Sequence, residues 1–257
     1  MTIAHVVITG ASRGLGAALA LRFAAPGVRL GLVARSAEGL AATAAACTAR
    51  GALVATAALD VRDAAGLGAV LAAWQALAPI DCAIANAGVS GGTRPDGAPE
   101  GLDSATRQIG VNLQGALNLI EPLWPAMAAA RVGRIAVVSS ISALRGLPDI
   151  PAYCASKAGL RAYGEALRAR LRPRGVTVTV LCPGFFESDM SRRFLGGKPG
   201  TVALEEAAAR CHAAILRGRG RLTFPWHLAV GLRLLDLLPA GVSDLVARRV
   251  RFRIAPE

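Results

Sequence analysis

The chain has 257 residues, 53% of them hydrophobic, and a formal net charge of +12. It is long enough to bury a substantial core, and no linker or repeat divides it, so we predict one domain over residues 1–257. All the positive residues except Lys157 and Lys198 are arginines, which are scattered and accompany no nucleic-acid-binding motif. We therefore expect no nucleic acid among its partners.

Cysteine usage and the amino terminus bear on metal binding and compartment. The five cysteines are odd in number and show no Cys-x-x-Cys spacing, which argues against a disulfide framework and a zinc site. We expect buried reduced thiols and no metal. The first predicted strand begins almost at the initiator methionine and leaves no room for a cleavable signal, which predicts a cytoplasmic protein.

Short apolar runs alternate with helical stretches along the whole chain. The runs are almost continuously apolar, which is typical of strands in a parallel sheet covered by helices on both faces. We predict an α/β fold with a doubly wound, Rossmann-type parallel sheet of about seven strands, whose ligand lies beyond the strands' carboxyl ends. The predicted strands are 3–9, 29–34, 53–59, 82–86, 134–140 and 176–182, with a weaker candidate at 221–224.

A glycine-rich turn follows the first predicted strand, with the sequence TGASRGLG at positions 9–16. Glycines at a strand-to-helix turn let the backbone approach a pyrophosphate, and the following helix faces its negative charge. A turn without a ligand is the alternative, and the apolar helical stretch over 15–23 disfavours it. The predicted dinucleotide contacts in this turn are Gly10, Ser12, Arg13, Gly14, Leu15 and Gly16.

The end of the second predicted strand bears on the choice of dinucleotide. A carboxylate there would bind an adenosine ribose and repel a 2′-phosphate. Here the strand ends at Ala34, and Arg35 follows. Arg13 is a second cation, and a guanidinium matches phosphate geometry well. The pattern favours NADP(H) over NAD(H), with a merely solvated Arg35 as the alternative.

Tyr153 and Lys157 lie one helical turn apart on the helix predicted over 152–171, so their side chains share a face. A phenol titrates near pH 10 in water, and we expect the Lys157 ammonium to lower the pKa of Tyr153. Ser140 ends the preceding strand. Its hydroxyl can bind a substrate oxygen while Tyr153 donates a proton and a nicotinamide supplies hydride. A surface pair and a plain turn are the alternatives.

The glycine turn, Asn-Ala-Gly at 86–88, the Ser140, Tyr153 and Lys157 set, and Pro-Gly at 183–184 resemble the short-chain dehydrogenase/reductase family. The resemblance covers roughly the first 190 residues. It implies an NAD(P)(H)-dependent oxidoreductase that transfers hydride between a nicotinamide and a small-molecule carbonyl or secondary alcohol. It also implies a homodimer or homotetramer. The family spacing to Tyr153 selects Ser140 rather than Ser139 as the catalytic serine.

The resemblance also implies roles for individual residues. Asp60 would face the adenine amino group, Asn112 would help to hold a water leading from the lysine, and Ser188 stands where the family has a threonine at the carboxamide. Asn86 could instead be mainly structural. The remaining implied cofactor contacts are Val61, Ala87, Gly88, Tyr153, Lys157, Pro183 and Gly184.

Two later segments remain. Residues 185–215 are predicted to form a mobile lid. Its apolar side chains favour a lipophilic ketone, aldehyde or 3-oxoacyl substrate over a sugar, and the alternative is that they only pack the lid onto the body. These side chains are Phe185, Phe186, Met190 and Phe194. Residues 224–254 are predicted as an apolar and basic helical extension. It is too short to span a bilayer, so it packs on the core or a subunit, the favoured account, or contacts an anionic membrane.

Two other functions remain open beside hydride transfer. One is a regulatory protein that binds NADP without turnover, against which the complete Ser140, Tyr153 and Lys157 set argues. The other is a membrane-surface protein whose chemistry is secondary. Cofactor oxidation across a carbonyl panel separates the first from an enzyme, and liposome binding tests the second.

Overall fold

A computed structural model describes residues 3–249, 251 and 253–255. Seven strands form one parallel sheet in the order β3-β2-β1-β4-β5-β6-β8, so the predicted doubly wound α/β sheet is confirmed. Each predicted strand is present within two residues of its expected bounds. The strands are β1 His5–Thr9, β2 Arg29–Ala34, β3 Leu53–Ala58, β4 Cys82–Ala85, β5 Gly133–Val138, β6 Val176–Pro183, β7 Phe194–Leu195, β8 Arg221–Phe224 and β9 Arg253–Ile254.

Helices cover both faces of the sheet and divide the core in two. The cluster on one face draws buried side chains from α1, α2 and α9, and the cluster on the other from α3, α5 and α7. The helices are α1 Gly14–Phe23, α2 Ala37–Thr48, α3 Ala64–Leu77, α4 Leu102–Ile109, α5 Gly115–Ile120, α6 Trp124–Ala130, α7 Pro151–Leu171, α8 Asp189–Arg192, α9 Leu204–Leu216, α10 Trp226–Asp236 and α11 Ala240–Ala247.

The strand order runs outwards from β1 in both directions, through β2 on one side and through β4 on the other. This arrangement places a crevice at the carboxyl ends of these strands. Short polar side chains start the helices that flank the crevice. The Ser36 hydroxyl accepts a hydrogen bond from Gly39 N at 3.1 Å, and Asp63 Oδ1 accepts one from Gly66 N at 2.9 Å. These caps satisfy backbone donors that α2 and α3 would otherwise leave free.

The predicted lid over 185–215 is too long. Its second half is α9, which packs on α1 with Ala207, Ala208 and Cys211 fully buried. Small side chains at this spacing let the two helices approach closely, so the segment belongs to the core. The part that borders the crevice is shorter and holds α8 and β7.

The predicted helical extension over 224–254 is helical only as far as Ala247. Arg253 and Ile254 form β9, which pairs antiparallel with β7. Ile254 N donates to Thr93 O at 2.9 Å, and its side chain is buried. The end of the extension therefore pairs as a strand, and a run of two residues is too short for its sequence periodicity to distinguish it from helix.

Two arginines of the predicted basic extension pair with a carboxylate of the protein itself. Arg251 Nε lies 3.2 Å from Asp149 Oδ2, and Arg253 Nη1 lies 3.1 Å from Asp149 Oδ1. The Asp149 side chain is buried, and two cations neutralise it. These ion pairs hold the carboxyl-terminal strand against the loop that precedes α7.

All five cysteines are buried and unpaired. Within the described part of the chain, no helix combines the length and apolar character needed to cross a bilayer.

Candidate active site

A cleft of about 1390 Å³ opens at the carboxyl edge of the sheet and collects most of the predicted site residues. Gly16 and Asn112 lie behind its wall. The predicted residues that line it are Gly10, Ser12, Arg13, Gly14, Leu15, Arg35, Asp60, Val61, Asn86, Ala87, Gly88, Ser140, Tyr153, Lys157, Pro183, Gly184 and Ser188.

The glycine turn requires glycine for different reasons at different positions. Gly10 and Gly14 have φ values of 70° and 56°, which L side chains rarely adopt. A Cβ at Gly10 would lie 2.7 Å from Ala87 Cα, and one at Gly16 would overlap the Gly10 carbonyl. Nothing lies within 4 Å of the corresponding position at Gly14. The turn is therefore packed behind and open towards the cleft, as a pyrophosphate cradle needs.

Asn86 braces this turn from the neighbouring strand. Its Nδ2 donates to Thr9 O at 3.0 Å and to Gly10 O at 3.2 Å. In return, Thr9 Oγ1 accepts from the backbone N–H groups of Asn86 and Ala87, both at 3.2 Å. The Asn86 amide donor is thus used within the protein, which agrees with a mainly structural role.

Three arginines lie near the end of the cleft that Arg35 and Asp60 line. Arg35 is exposed at the end of β2, and Arg62, which the sequence analysis did not single out, holds Asp60 at 2.8 Å. Hydrogen bonds from Arg62 lower the pKa of Asp60, and the charge of Arg35 acts in the same direction. Arg13 is 74% exposed and reaches across the cleft to Asp189 at 3.2 Å. Asp60 is therefore neutralised locally, and the region carries net positive charge.

Tyr153 and Lys157 project from one face of α7 into the cleft, as the spacing predicts. Lys157 Nζ lies 5.8 Å from the Tyr153 ring centroid and donates to Val138 O at 2.9 Å. Burial lowers the pKa of Lys157 to about 8.

The expected lowering of the Tyr153 pKa is absent. Burial raises the pKa of Tyr153 to about 12, and a hydrogen bond with Ser140 opposes that rise only in part. The physical reason is that desolvation of the phenolate outweighs its stabilisation by neighbouring groups. Tyr153 is therefore a protonated phenol at neutral pH, the form that can donate a proton.

The two serines at the end of β5 have different partners. Ser139 Oγ donates to Lys157 O at 2.7 Å and is buried, so it anchors α7 to the sheet. Ser140 Oγ accepts from Ser142 N at 3.1 Å and borders the cleft beside Tyr153. Ser139 also lines the cleft, but its O–H is donated to Lys157 O, which leaves Ser140 as the better candidate to meet a substrate oxygen.

Asn112 lies in a π-helical turn, Gly110–Gln114, between α4 and α5. Its Oδ1 accepts from Val89 N at 2.7 Å, and its Nδ2 donates to Val89 O and to Ser156 Oγ, both at 2.9 Å. Ser156 in turn donates to Tyr153 O at 2.8 Å. The Asn112 side chain thus ties the loop after β4 to α7.

The loop after β6 shapes the far side of the cleft. Gly184 N donates to Phe224 O at 2.7 Å, and a Cβ on Gly184 would lie 2.9 Å from Pro225 Cδ, so the loop packs tightly on β8. Ser188 caps α8 by accepting from Ser191 N at 3.1 Å. Its oxygen is used by this cap, which leaves its O–H as the group that could meet a ligand.

The end of the cleft beyond Tyr153 is apolar. Tyr153, Phe185, Met190 and Leu232 pack against a buried cluster that includes Phe194 and Ile254. Phe186 instead packs on the main core. The sequence analysis missed the contribution of the carboxyl-terminal helices to this wall; the only signal was the almost wholly apolar stretch that forms α10. Their lining residues are His227, Leu228, Gly231, Leu232, Leu235 and Val246.

Ser36 is a second omission. It follows Arg35, caps α2 and lines the cleft beside Arg35. A serine before an alanine-rich helical stretch is a recognisable cap signal.

Among the described residues, no group of three or more His, Cys, Asp or Glu side chains could hold a metal ion.

The family model described as short chain dehydrogenase matches residues 4–196. The chain belongs to this family and is an oxidoreductase, so the predictions of the family and of an enzyme are confirmed. The family uses a nicotinamide cofactor, and the cleft has the glycine cradle and the tyrosine and lysine pair that such a cofactor requires.

Several relatives resemble nearly the whole chain. An uncharacterized oxidoreductase of Myxococcus xanthus is 35% identical over 98% of this chain and 99% of its own length. One from Mycobacterium tuberculosis is 36% identical over 95% of this chain and 97% of its own. A 3-dehydrosphinganine reductase of Arabidopsis thaliana is 36% identical over 85% of this chain and 69% of its own.

Solved structures share the fold. Levodione reductase superposes with a TM-score of 0.79 at 24% identity, covering 90% of this chain and 99% of its own. An actinorhodin polyketide ketoreductase with NADPH gives 0.75 at 25% identity, covering 86% and 95%. An NAD⁺-bound xylitol dehydrogenase gives 0.76 at 21% identity, covering 86% and 97%. The solved structures that share this fold thus include one with NADPH and one with NAD⁺.

Proposed function

We propose that this enzyme uses NADPH to reduce a lipophilic ketone, aldehyde or 3-oxoacyl substrate. The observation that carries the proposal is the position of Tyr153, which lies where the glycine-turn half of the cleft meets the apolar half. A substrate carbonyl at this junction can reach a proton donor while its hydrocarbon part stays out of water.

The chain's own residues would divide the work as follows. Tyr153 donates its phenolic proton to the carbonyl oxygen, and the Ser140 hydroxyl binds the same oxygen as negative charge develops on it. NADPH supplies the hydride when bound. Lys157 is held by Val138 O at 2.9 Å beside the phenol, where its charge stabilises the phenolate left by proton transfer.

The residues present fit a dinucleotide. One supporting feature is Gly88, which leaves space beside the catalytic lysine. A Cβ at this position would fill that space, 3.2 Å from Lys157 Nζ and 3.4 Å from Asn112 Oδ1. The glycine turn provides a second, since its open side faces the cleft. We propose that the cleft-lining residues predicted above hold the cofactor, and that Gly16, Asn86 and Asn112 position them from behind.

The preference for NADPH over NADH rests on charge. Arg35 lies at the end of β2 without an acidic residue at the ribose position, and Arg62 neutralises Asp60. A 2′-phosphate would therefore meet positive potential rather than a free carboxylate. Ser36 offers a hydroxyl at the same place. Arg13 would add to this site only by leaving Asp189.

The substrate class rests on the apolar wall formed by Phe185, Met190, Phe194 and Leu232. A sugar would leave its hydroxyl groups unpaired there, and each buried unpaired polar group is unfavourable by about 1–3 kcal/mol. The similarity to a 3-dehydrosphinganine reductase supports a lipophilic carbonyl.

We also propose that residues 1–257 form one domain, which assembles as a homodimer or homotetramer. Exposed Leu102 and Ile109 on α4 support a subunit contact there. Sedimentation equilibrium measures the assembly directly.

The test is a panel of ketones, aldehydes and 3-oxoacyl thioesters of increasing chain length, each assayed with NADPH and with NADH. We expect kcat/KM to rise with chain length, and to be higher with NADPH. Arg35→Asp should weaken NADPH binding at least about tenfold, roughly the 1.5–3 kcal/mol of a hydrogen bond to a charged group, while Glu38→Gln serves as a surface control. Equal turnover with NADH in the wild type, or a preference for polyols, would reject the proposal.

A further inference from the structure

Helix α10 presents two different faces. On the inner face, Leu228, Leu232 and Leu235 line the cleft. The other face is turned to solvent, with Trp226 72% exposed and Leu237 80% exposed. The account favoured from the sequence is packing on the core or on a second subunit, and packing on the core explains one side of this helix only.

The solvent-facing apolar residues form a continuous surface, which we call the outer face. They recur along α10 at intervals of three and four residues, the spacing of a single helical stripe, and continue onto α11. Seven of the fourteen exposed large hydrophobic residues in the described part of the chain fall in this short segment, so the surface is not random scatter. They are Trp226, Val230, Leu234, Leu237, Leu238, Val242 and Leu245.

Charge around the outer face is one-sided. The only two carboxylates between positions 226 and 249 are Asp236 and Asp244, and both pair with Arg145, at 3.4 Å and 3.0 Å. Arg145 belongs to the loop before α7, so these pairs fasten the two helices to the body, and the single charge of Arg145 offsets one of the two carboxylates. Arg233, Arg248 and Arg249 in the same segment are exposed. The surface is therefore apolar with a net positive border.

We propose that the outer face of α10 and α11 docks on the surface of an anionic lipid bilayer. A helix that lies in a bilayer interface buries an apolar stripe and directs basic residues to lipid phosphates, and a tryptophan at such a boundary is favourable. At 11 and 8 residues, the two helices lie along the interface rather than span it.

Charge argues against a second copy of this chain as the occupant. A two-fold interface brings the same patch of each copy together, so a segment whose exposed arginines and Arg145 outnumber its two carboxylates would meet a second patch of the same net positive charge. Lipid phosphates supply the negative charge that the segment lacks.

Docking would also set how substrate reaches the site. Since the inner face of α10 lines the cleft, the bilayer would lie one helix thickness from the apolar wall near Tyr153. A lipophilic carbonyl could then enter from the lipid without crossing water. This delivery step rests on the proposed function, whereas docking itself does not.

The experiment measures co-sedimentation of the full chain with vesicles of phosphatidylcholine containing phosphatidylglycerol, and with vesicles of phosphatidylcholine alone. Leu234→Ser/Leu237→Ser removes part of the stripe, and Arg233→Gln/Arg248→Gln removes two charges. The matched controls are Leu77→Ser, an exposed leucine at 68%, and Arg174→Gln. Leu77 precedes β4 and Arg174 precedes β6, so both lie at the amino-terminal ends of the strands, opposite the cleft.

The wild type and both controls should bind the anionic vesicles, and Trp226 emission should shift to the blue. Each arginine removed should weaken binding roughly fivefold, the effect of about 1 kcal/mol per basic residue near an anionic surface. The leucine variant should bind weakly to either vesicle. Binding by the wild type no better than by the leucine variant, or equal loss in the controls, would overturn the proposal.

Two parallel measurements separate this inference from others. Turnover of a short water-soluble ketone with NADPH should be the same in the wild type and the outer-face variants, so its absence in all would count against the proposed function only. Sedimentation equilibrium without lipid tests whether a second copy of the chain covers the outer face instead. Dissociation of an oligomer by Leu234→Ser/Leu237→Ser, with no vesicle binding by the wild type, would show that the chain itself covers this face.

Discussion

Replacement of the buried lysine by methionine, Lys157→Met, should stabilise the nucleotide-free protein while abolishing turnover. Burial holds the pKa of Lys157 at about 8, against 10.5 in water. Each pKa unit corresponds to about 1.4 kcal/mol, so keeping this side chain protonated in the folded protein is unfavourable by about 3 kcal/mol. Methionine removes that term and loses a hydrogen bond to Val138 worth about 1 kcal/mol. The expected net gain near neutral pH is about 2 kcal/mol.

The pH dependence distinguishes this cause from improved packing. Because the folded pKa lies below the unfolded one, the unfolded wild type binds more protons between about pH 8 and 10.5, and wild-type stability rises over that range relative to the variant. Above it, the electrostatic term has vanished and only the lost hydrogen bond remains. The variant should then be about 1 kcal/mol less stable than the wild type.

The assay is urea unfolding of both proteins without nucleotide, followed by tryptophan fluorescence at several pH values across this range. The same substitution at the chain's other lysine, Lys198→Met, is the control and should show no such inversion. A Lys157→Met variant that is less stable near neutral pH, or a difference from the wild type that does not change with pH, would refute the reasoning.

Three further changes test the site and its supports. Ser140→Ala should lower kcat at least about 10²-fold while NADPH affinity, measured by titration, is retained. In Gly88→Ala, the new Cβ would press on the Lys157 ammonium at 3.2 Å. We therefore expect kcat to fall clearly while the unfolding temperature changes little. Asp149→Asn should weaken the hold on the carboxyl-terminal strand and speed its proteolysis, whereas the exposed Asp96→Asn should not.

The sheet could be predicted because its central strands are buried on both faces, which leaves continuous apolar runs such as Cys82–Ala85. The glycine turn and the pairing of Tyr153 with Lys157 could be predicted because short-range spacing fixes them. A strand-to-helix turn needs glycine at set positions, and one helical turn places two side chains on one face.

The features that could not be predicted depend on contacts between distant residues. Arg251 and Arg253 look like solvated cations until Asp149, about a hundred positions earlier, is placed beside them. Alanine-rich α9 has no marker in the sequence that separates a core helix from a lid. The raised pKa of Tyr153 likewise depends on how far the fold withdraws the phenol from water, which the presence of a nearby lysine does not reveal.

The most direct test of the account is turnover by Tyr153→Phe, which removes the phenolic oxygen and keeps the ring. With NADPH and any carbonyl that the wild type reduces, kcat should fall about 10²–10⁴-fold, the usual contribution of a positioned proton donor. NADPH binding, measured by fluorescence titration, should stay close to wild type. Turnover within a few-fold of wild type would contradict the assignment of Tyr153 as the proton donor.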